Sequence, residues 1–146
     1  MKCVLQRVKQ AKVVVAGETL GAIAKGLVVL VAIEKGDTLD QVEVMSRKIL
    51  QLRLFSSPEG ANMDLACFEV DGEFLIVSQF TLAADLSRGN RPSFDNAAPP
   101  AEAEQLYNAF VESIRKGPCR VRTGRFRAMM EVSLVNDGPV TIILSS

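Results

Sequence analysis

The first third of the chain alternates short apolar runs with glycine-bearing breaks: Cys3–Val8, Lys12–Val15, Leu20–Ile23 and the wholly apolar Leu27–Ile33. Runs of this length predict strands, with Ala16-Gly17-Glu18-Thr19 as a hairpin turn. Leu27–Ile33 has no polar face, so it is expected at the centre of the sheet, covered on both sides. After Gly36 the period changes. Thr38 and Gln41 make a capping box, and Val42, Met45, Ile49 and Leu52 then recur on one helical face, predicting a helix over 39–51.

Arg53-Leu54-Phe55 reads as a short strand, Ser56–Gly60 as a turn-rich loop, and Phe74–Thr81 as the next strong strand. An irregular stretch from Ala83 to about Pro100 carries Arg88, Gly89, Arg91 and Pro92, and loops of such length are usually functional or disordered. Ala103, Leu106, Tyr107, Phe110, Val111 and Ile114 then return at helical spacing, predicting a second helix over 100–115 that Gly117-Pro118 ends. A strand near Arg120–Arg122, a break at Gly124, and strands Met130–Val135 and Val140–Leu144 complete the chain. The pattern predicts one α+β domain over 1–146, a strongly twisted, largely antiparallel, barrel-like sheet with two main helices packed on it.

Composition narrows the chemistry. The 48% hydrophobic content is enough for a core in 146 residues. Lys and Arg number 17 and Asp and Glu 17, so no global basic field marks a nucleic-acid partner and any such partner must meet a local patch. There is no histidine. That removes the commonest general base, the Ser-His and Cys-His nucleophile pairs and the usual zinc ligand. Cys3, Cys67 and Cys119 lack paired metal or redox spacing. No phosphate-cradling glycine loop is present, so nucleotide hydrolysis and dinucleotide-dependent redox chemistry are disfavoured. No cofactor or metal is expected. Neither a signal pattern nor a membrane-length apolar run is seen, and the cytoplasm is the expected compartment.

Three segments carry candidate chemistry. Ser78, Gln79 and Thr81 concentrate polarity where the apolar run Phe74–Val77 leaves the core; with Phe80 they could offer hydroxyls, an amide and backbone N–H groups to an oxyanion, or simply bond their own turn. Gly138-Pro139 sits between two apolar runs. Proline has no ladder donor and glycine no Cβ, so the pair reads either as a hairpin turn or as backbone exposed for recognition. Arg115, Lys116, Arg120, Arg122, Arg125 and Arg127 crowd a stretch with no acid: a phosphate-binding stripe, which Arg88 and Arg91 would extend, or a charge-protected strand edge.

Taken in order, Leu5-Gln6-Arg7-Val8, Ser78-Gln79-Phe80-Thr81-Leu82, Arg88–Phe94, Thr123-Gly124-Arg125-Phe126 and Val135-Asn136-Asp137-Gly138-Pro139-Val140-Thr141 resemble the D-aminoacyl-tRNA deacylase family across essentially the whole chain. The resemblance implies a homodimer, with its active site at the subunit interface, that hydrolyses the ester of a D-amino acid or glycine to the terminal adenosine of tRNA. It gives Ser78, Gln79, Phe80 and Thr81 the catalytic pocket of one subunit. Gly138 and Pro139 of the other, joined by a cis bond and steadied by Arg7, become a chiral gate. Arg88, Arg91, Arg120, Arg122 and Arg125 are then candidate tRNA contacts. The loop Ala61-Asn62-Met63-Asp64 departs from the family's Lys-Met-Asn order, and the Arg115–Arg127 stretch is more basic than the family's usual segment. Two other readings stand beside this one: a non-catalytic nucleic-acid-binding scaffold dimer, and a hydrolase of free D-amino-acid esters.

Overall fold

In the computed structural model, which describes residues 1–146, the elements run β1 (Lys2–Val15), β2 (Glu18–Ile23), β3 (Gly26–Ala32), α1 (Leu39–Gln51), β4 (Arg53–Phe55), β5 (Leu65–Ala66), β6 (Glu73–Ser78), α2 (Pro100–Arg115), β7 (Val121–Thr123) and β8 (Glu131–Ser145). The main sheet is ordered β2-β1-β3-β6-β7, with β8 on β1. It is mixed: β1 is antiparallel to β2, β3 and β8, while β6 is parallel to β3 and to β7. Its two ends curl together, since a Cβ on Gly21 of β2 would stand 3.0 Å from the Thr123 carbonyl oxygen of β7. The result is the expected α+β fold with a nearly closed, barrel-like sheet. No helix is long and apolar enough to cross a membrane.

The central strand is where its composition places it. In β3 every residue except Leu30 is buried. Leu27, Val29 and Val31 join Phe74 and Ile76 of β6 beneath the helices, against Val42, Met45 and Ile49 of α1 and Phe110 and Ile114 of α2. Val28 faces the other way, with Leu75 and Val77, into the barrel interior beside Val8, Val13 and Ile23. Two-sided burial removes the need for polar alternation. The capping box at α1 forms as its spacing predicts, with Thr38 N–H donating to Gln41 Oε1 at 2.8 Å.

Four boundaries differ from the sequence reading. Cys3–Val8 and Lys12–Val15 are one strand, because the polar break at Lys9-Gln10 marks a bend rather than an end. Cys3 and Leu5 point to the helices, whereas Val8, Ala11 and Val13 point into the barrel. The register against β8 shifts there twice. The strand expected over Phe74–Thr81 ends at Ser78, and Phe80–Ala83 form a 3-10 turn. Met130–Val135 and Val140–Leu144 are not hairpin arms: both halves pair with β1 as a single strand, and Gly138-Pro139 is a bulge within it. The stretch after Ala83 is partly ordered by Asp85 and Ser93, which exchange both backbone bonds at 2.8 and 2.9 Å.

The parallel β3–β6 pair starts at Gly26 opposite Glu73. A Cβ on Gly26 would overlap the backbone of Glu73, whose carboxylate also accepts from Ala24 N–H at 2.9 Å. Gly26→Ala is therefore expected to lower stability by roughly 2–4 kcal/mol. Denaturant unfolding checks this, and an unchanged midpoint contradicts it.

Candidate active site

β6 delivers Ser78 to the carboxyl-terminal lip of three mutually parallel strands, β3, β6 and β7. Ser78 pairs with Val31, and the next residue continues the ladder, Gln79 N–H donating to the Val31 carbonyl at 2.7 Å. The chain then tightens. The first internal bond of the 3-10 turn runs from Leu82 N–H to Gln79 O at 3.2 Å, followed by Ala84 N–H to Thr81 O at 3.1 Å. The amides of Phe80 and Thr81 precede that bond and have no acceptor within the turn. They are donors at an exposed lip, beside the half-buried Ser78 and Gln79.

The side chains of the segment brace one another. Gln79 Nε2 donates to Thr81 Oγ1 at 2.5 Å, so the hydroxyl oxygen accepts from a neutral amide and faces no base. Phe80 is 58% exposed, its ring set edge-on to Phe94 at 5.0 Å between centroids. The sequence places Phe94 in the same motif as Arg88 and Arg91, but nothing in its spacing announces that contact. The thiols take no part. Cys3, Cys67 and Cys119 are buried, and burial pushes all three thiols up, Cys3 to about 12. They stay protonated and non-nucleophilic near neutral pH.

Gly138-Pro139 belongs to a second structure. Gln6 pairs with Thr141 and Val8 with Asn136, so Arg7 alone faces the four residues Asp137–Val140. The bond between Gly138 and Pro139 is cis. Arg7 spans the bulge: Nε donates to the Asp137 carbonyl at 3.0 Å, and Nη1 donates to the Leu54 carbonyl of β4. The guanidinium also lies 5.9 Å above the Phe55 ring and 3.6 Å from the Asp137 carboxylate. Gly138 has φ of +130°, and a Cβ there would meet Arg7 Nη2 at 3.0 Å, so the site admits glycine alone without strain. Asp137, Leu54 and Phe55 are supports that the sequence reading does not name; the guanidinium's reach to a carbonyl 47 residues away leaves no local signal.

Within the chain these two structures are apart. Arg7, opposite the bulge, is level with Leu27 and Phe74, whereas Ser78 is level with Val31 and Cys3. That offset of four residues along the strands, with β1 and β3 lying between, separates them by on the order of 15–20 Å. The basic segment is likewise divided. Arg120 lies at the amino-terminal end of β6, its carbonyl accepting from Phe74 N–H at 2.8 Å and its guanidinium 3.4 Å from Glu73. Arg122 is half-buried within β7, and Arg125 is exposed beyond it. Arg88 and Arg91 are exposed on the loop that follows the 3-10 turn.

The model of the D-Tyr-tRNA(Tyr) deacylase family matches residues 4–145. A D-aminoacyl-tRNA deacylase of Solibacter usitatus (strain Ellin6076) is 56% identical over 146 residues, covering 100% of this chain and 96% of the relative. Among solved structures, the c-Myc DNA Unwinding Element Binding Protein superposes with a TM-score of 0.95 at 44% identity, over 100% of this chain and 99% of that one. A structure described as a probable eukaryotic D-amino acid tRNA deacylase shares the fold, with a TM-score of 0.85 at 18% identity over 98% and 97% of the two chains. With a family model along nearly its full length and a relative more than half identical, the chain belongs to the D-Tyr-tRNA(Tyr) deacylase family of ester-hydrolysing enzymes.

Proposed function

We propose that the protein hydrolyses the ester joining a D-amino acid, or glycine, to the terminal adenosine of tRNA, releasing free tRNA and the amino acid. The observation that carries this reading is the turn at the end of β6: unpaired amides and polar side chains stand at an exposed lip, in a chain whose whole length matches the family. The amides of Phe80 and Thr81 are placed to hold the ester carbonyl oxygen as it gains charge in the tetrahedral intermediate. Water attacks the carbonyl carbon, and as the ester C–O bond breaks the ribose oxygen leaves and takes up the proton that the water loses.

The working unit is a homodimer in which Ser78–Thr81 of one protomer faces Gly138-Pro139 of the other. Two observations support it. The motifs are separated within one chain, and β8 has not one buried residue although Val132, Val135 and Ile143 are exposed along it. Apolar surface of that kind calls for a partner. In the assembled site the backbone carbonyls of the bulge accept from the substrate ammonium and occupy the space an L side chain would need. Selection is by exclusion, so glycine passes. Arg7 keeps those carbonyls aimed. Arg88, Arg91, Arg122 and Arg125 supply candidate contacts to the tRNA backbone, whereas Arg120 is set aside because it pairs with Glu73 at the far end of β6.

With no histidine in the chain and Thr81 Oγ1 bonded to an amide, the assistance comes from the substrate. The vicinal ribose hydroxyl orients the attacking water or stabilises the departing oxygen, an effect of proximity that needs no ionisable side chain. The 44% identity to a DNA Unwinding Element Binding Protein favours one rival, a nucleic-acid-binding dimer without turnover.

Incubation with D-tyrosyl-tRNA, L-tyrosyl-tRNA and a free D-tyrosine ester separates these readings. Release from the first alone is expected; release from none supports the scaffold, and from the free ester a small-molecule hydrolase. Thr81→Ala is expected to keep near-normal deacylation, whereas loss of turnover with folding and tRNA binding intact makes Thr81 the nucleophile. Gly138→Ala and Gln79→Ala are each expected to inactivate. Mixing the two after dissociation should restore about a quarter of wild-type activity, since half the dimers then carry one intact site of two. No recovery would place both motifs in the same protomer's site.

A further inference from the structure

The basic segment from Arg115 to Arg127 is not one surface. Arg115 is engaged by Glu112 at 2.6 Å and Arg120 by Glu73 at 3.4 Å, both remote from the lip that carries Ser78. Arg125 and Arg127 take part in none of the protein's ion pairs and are exposed. Between them, Phe126 turns inward and packs on the buried Tyr107 with ring centroids 5.7 Å apart. The inward aromatic fixes the chain so that its two neighbours project outward. Ala128 N–H closes the turn on the Arg125 carbonyl at 3.3 Å, with Arg127 held at φ of +59°.

This turn is also placed beside the catalytic segment. Thr123 pairs with Ile76, and Gly124 N–H donates to the Ile76 carbonyl at 3.2 Å. Arg125 follows at once where the chain leaves this ladder, at the same end of β6 as Ser78. Two uncompensated guanidiniums thus flank a site whose aminoacyl group brings an ammonium and no anion. They repel that part of the substrate and attract only its phosphates.

We infer that Arg125 and Arg127, held out by the Phe126 anchor, form the surface that takes the sugar–phosphate backbone of the tRNA acceptor end, and that Arg115 and Arg120 do not. This rests on the deacylase reading and extends it: the tRNA approaches over the β7–β8 turn of the protomer that supplies Ser78–Thr81. The contact adds affinity for the polynucleotide and nothing to the chemical step.

The test compares wild type, Arg125→Gln/Arg127→Gln and Arg115→Gln/Arg120→Gln on D-tyrosyl-tRNA and on D-tyrosyl-adenosine, a substrate with the ester but no phosphate, across a KCl series. For the first double variant the expected result is a KM for the tRNA raised about tenfold with kcat held, and a log–log salt slope shallower by about 1–2. Its turnover of D-tyrosyl-adenosine should match wild type, as should the second variant on both substrates. A wild-type KM and slope on tRNA overturn the inference, and so does an equal loss on both substrates, which would put the pair in catalysis. Wild-type protein inactive on both substrates would sink the deacylase reading instead. Filter retention of uncharged tRNA by the same variants then still decides the surface, because a lowered affinity confined to Arg125→Gln/Arg127→Gln sustains it and equal retention refutes it.

Discussion

Everything in this protein is hung on the parallel pair of β3 and β6, buried on both faces. From Gly26 opposite Glu73 to Val31 opposite Ser78, these strands present Leu27, Val29, Phe74 and Ile76 to the helices and Val28, Leu75 and Val77 to the barrel interior. Strands so apolar cannot lie at a surface, so α1 and α2 must cover one side and the curled ends of the sheet the other. The pair also fixes where polarity resumes. Ser78 is the first residue of β6 after Phe74–Val77 that is not fully buried, and the chain leaves the ladder one residue later, after a last bond from Gln79 to Val31. The candidate site is the end of the core.

β1 makes the second half of the arrangement possible. It bends near Lys9-Gln10, its apolar positions change face, and β8 follows it with two register shifts. One arginine opposite four residues leaves a loop of backbone that cannot join the ladder. Left alone, such a bulge would expose carbonyls with no defined direction. Arg7 supplies the direction through its carbonyl contacts to Asp137 and Leu54, and Phe55 beneath its guanidinium limits its rotamers. A rigid backbone feature is thereby built on a strand that fully buries none of its own side chains.

The chemistry follows from what is missing as much as from what is present. No imidazole exists, the thiols are held protonated by burial, and Tyr107, its hydroxyl donating to the Ile76 carbonyl at 3.1 Å, is pushed up to about 12 by the same cause. The groups that remain at the lip are backbone amides, hydroxyls and one carboxamide. Such groups orient and stabilise, and they do not move protons at neutral pH. A site of this composition suits a substrate that carries its own reactive hydroxyl.

The local order of residues is enough for the α+β class, the central strand at Leu27–Ile33, the helix over 39–51 with its Thr38 cap, and the helix over 100–115, because a run with no polar face, a capping box and helical periodicity are local patterns. It also marked Ser78–Thr81 and Gly138-Pro139, through polarity at a strand end and through residues that cannot join a ladder. Tertiary structure alone decided that Cys3–Val8 and Lys12–Val15 are one bent strand, that Gly138-Pro139 is a bulge rather than a turn, and that Arg120 and Arg125 stand at opposite ends of β6. Each of those outcomes depends on which strand lies alongside and in what register. That information is carried by hydrogen bonds between residues far apart in the chain, such as Phe74 and Arg120 or Arg7 and Asp137, and no short window of the sequence contains it.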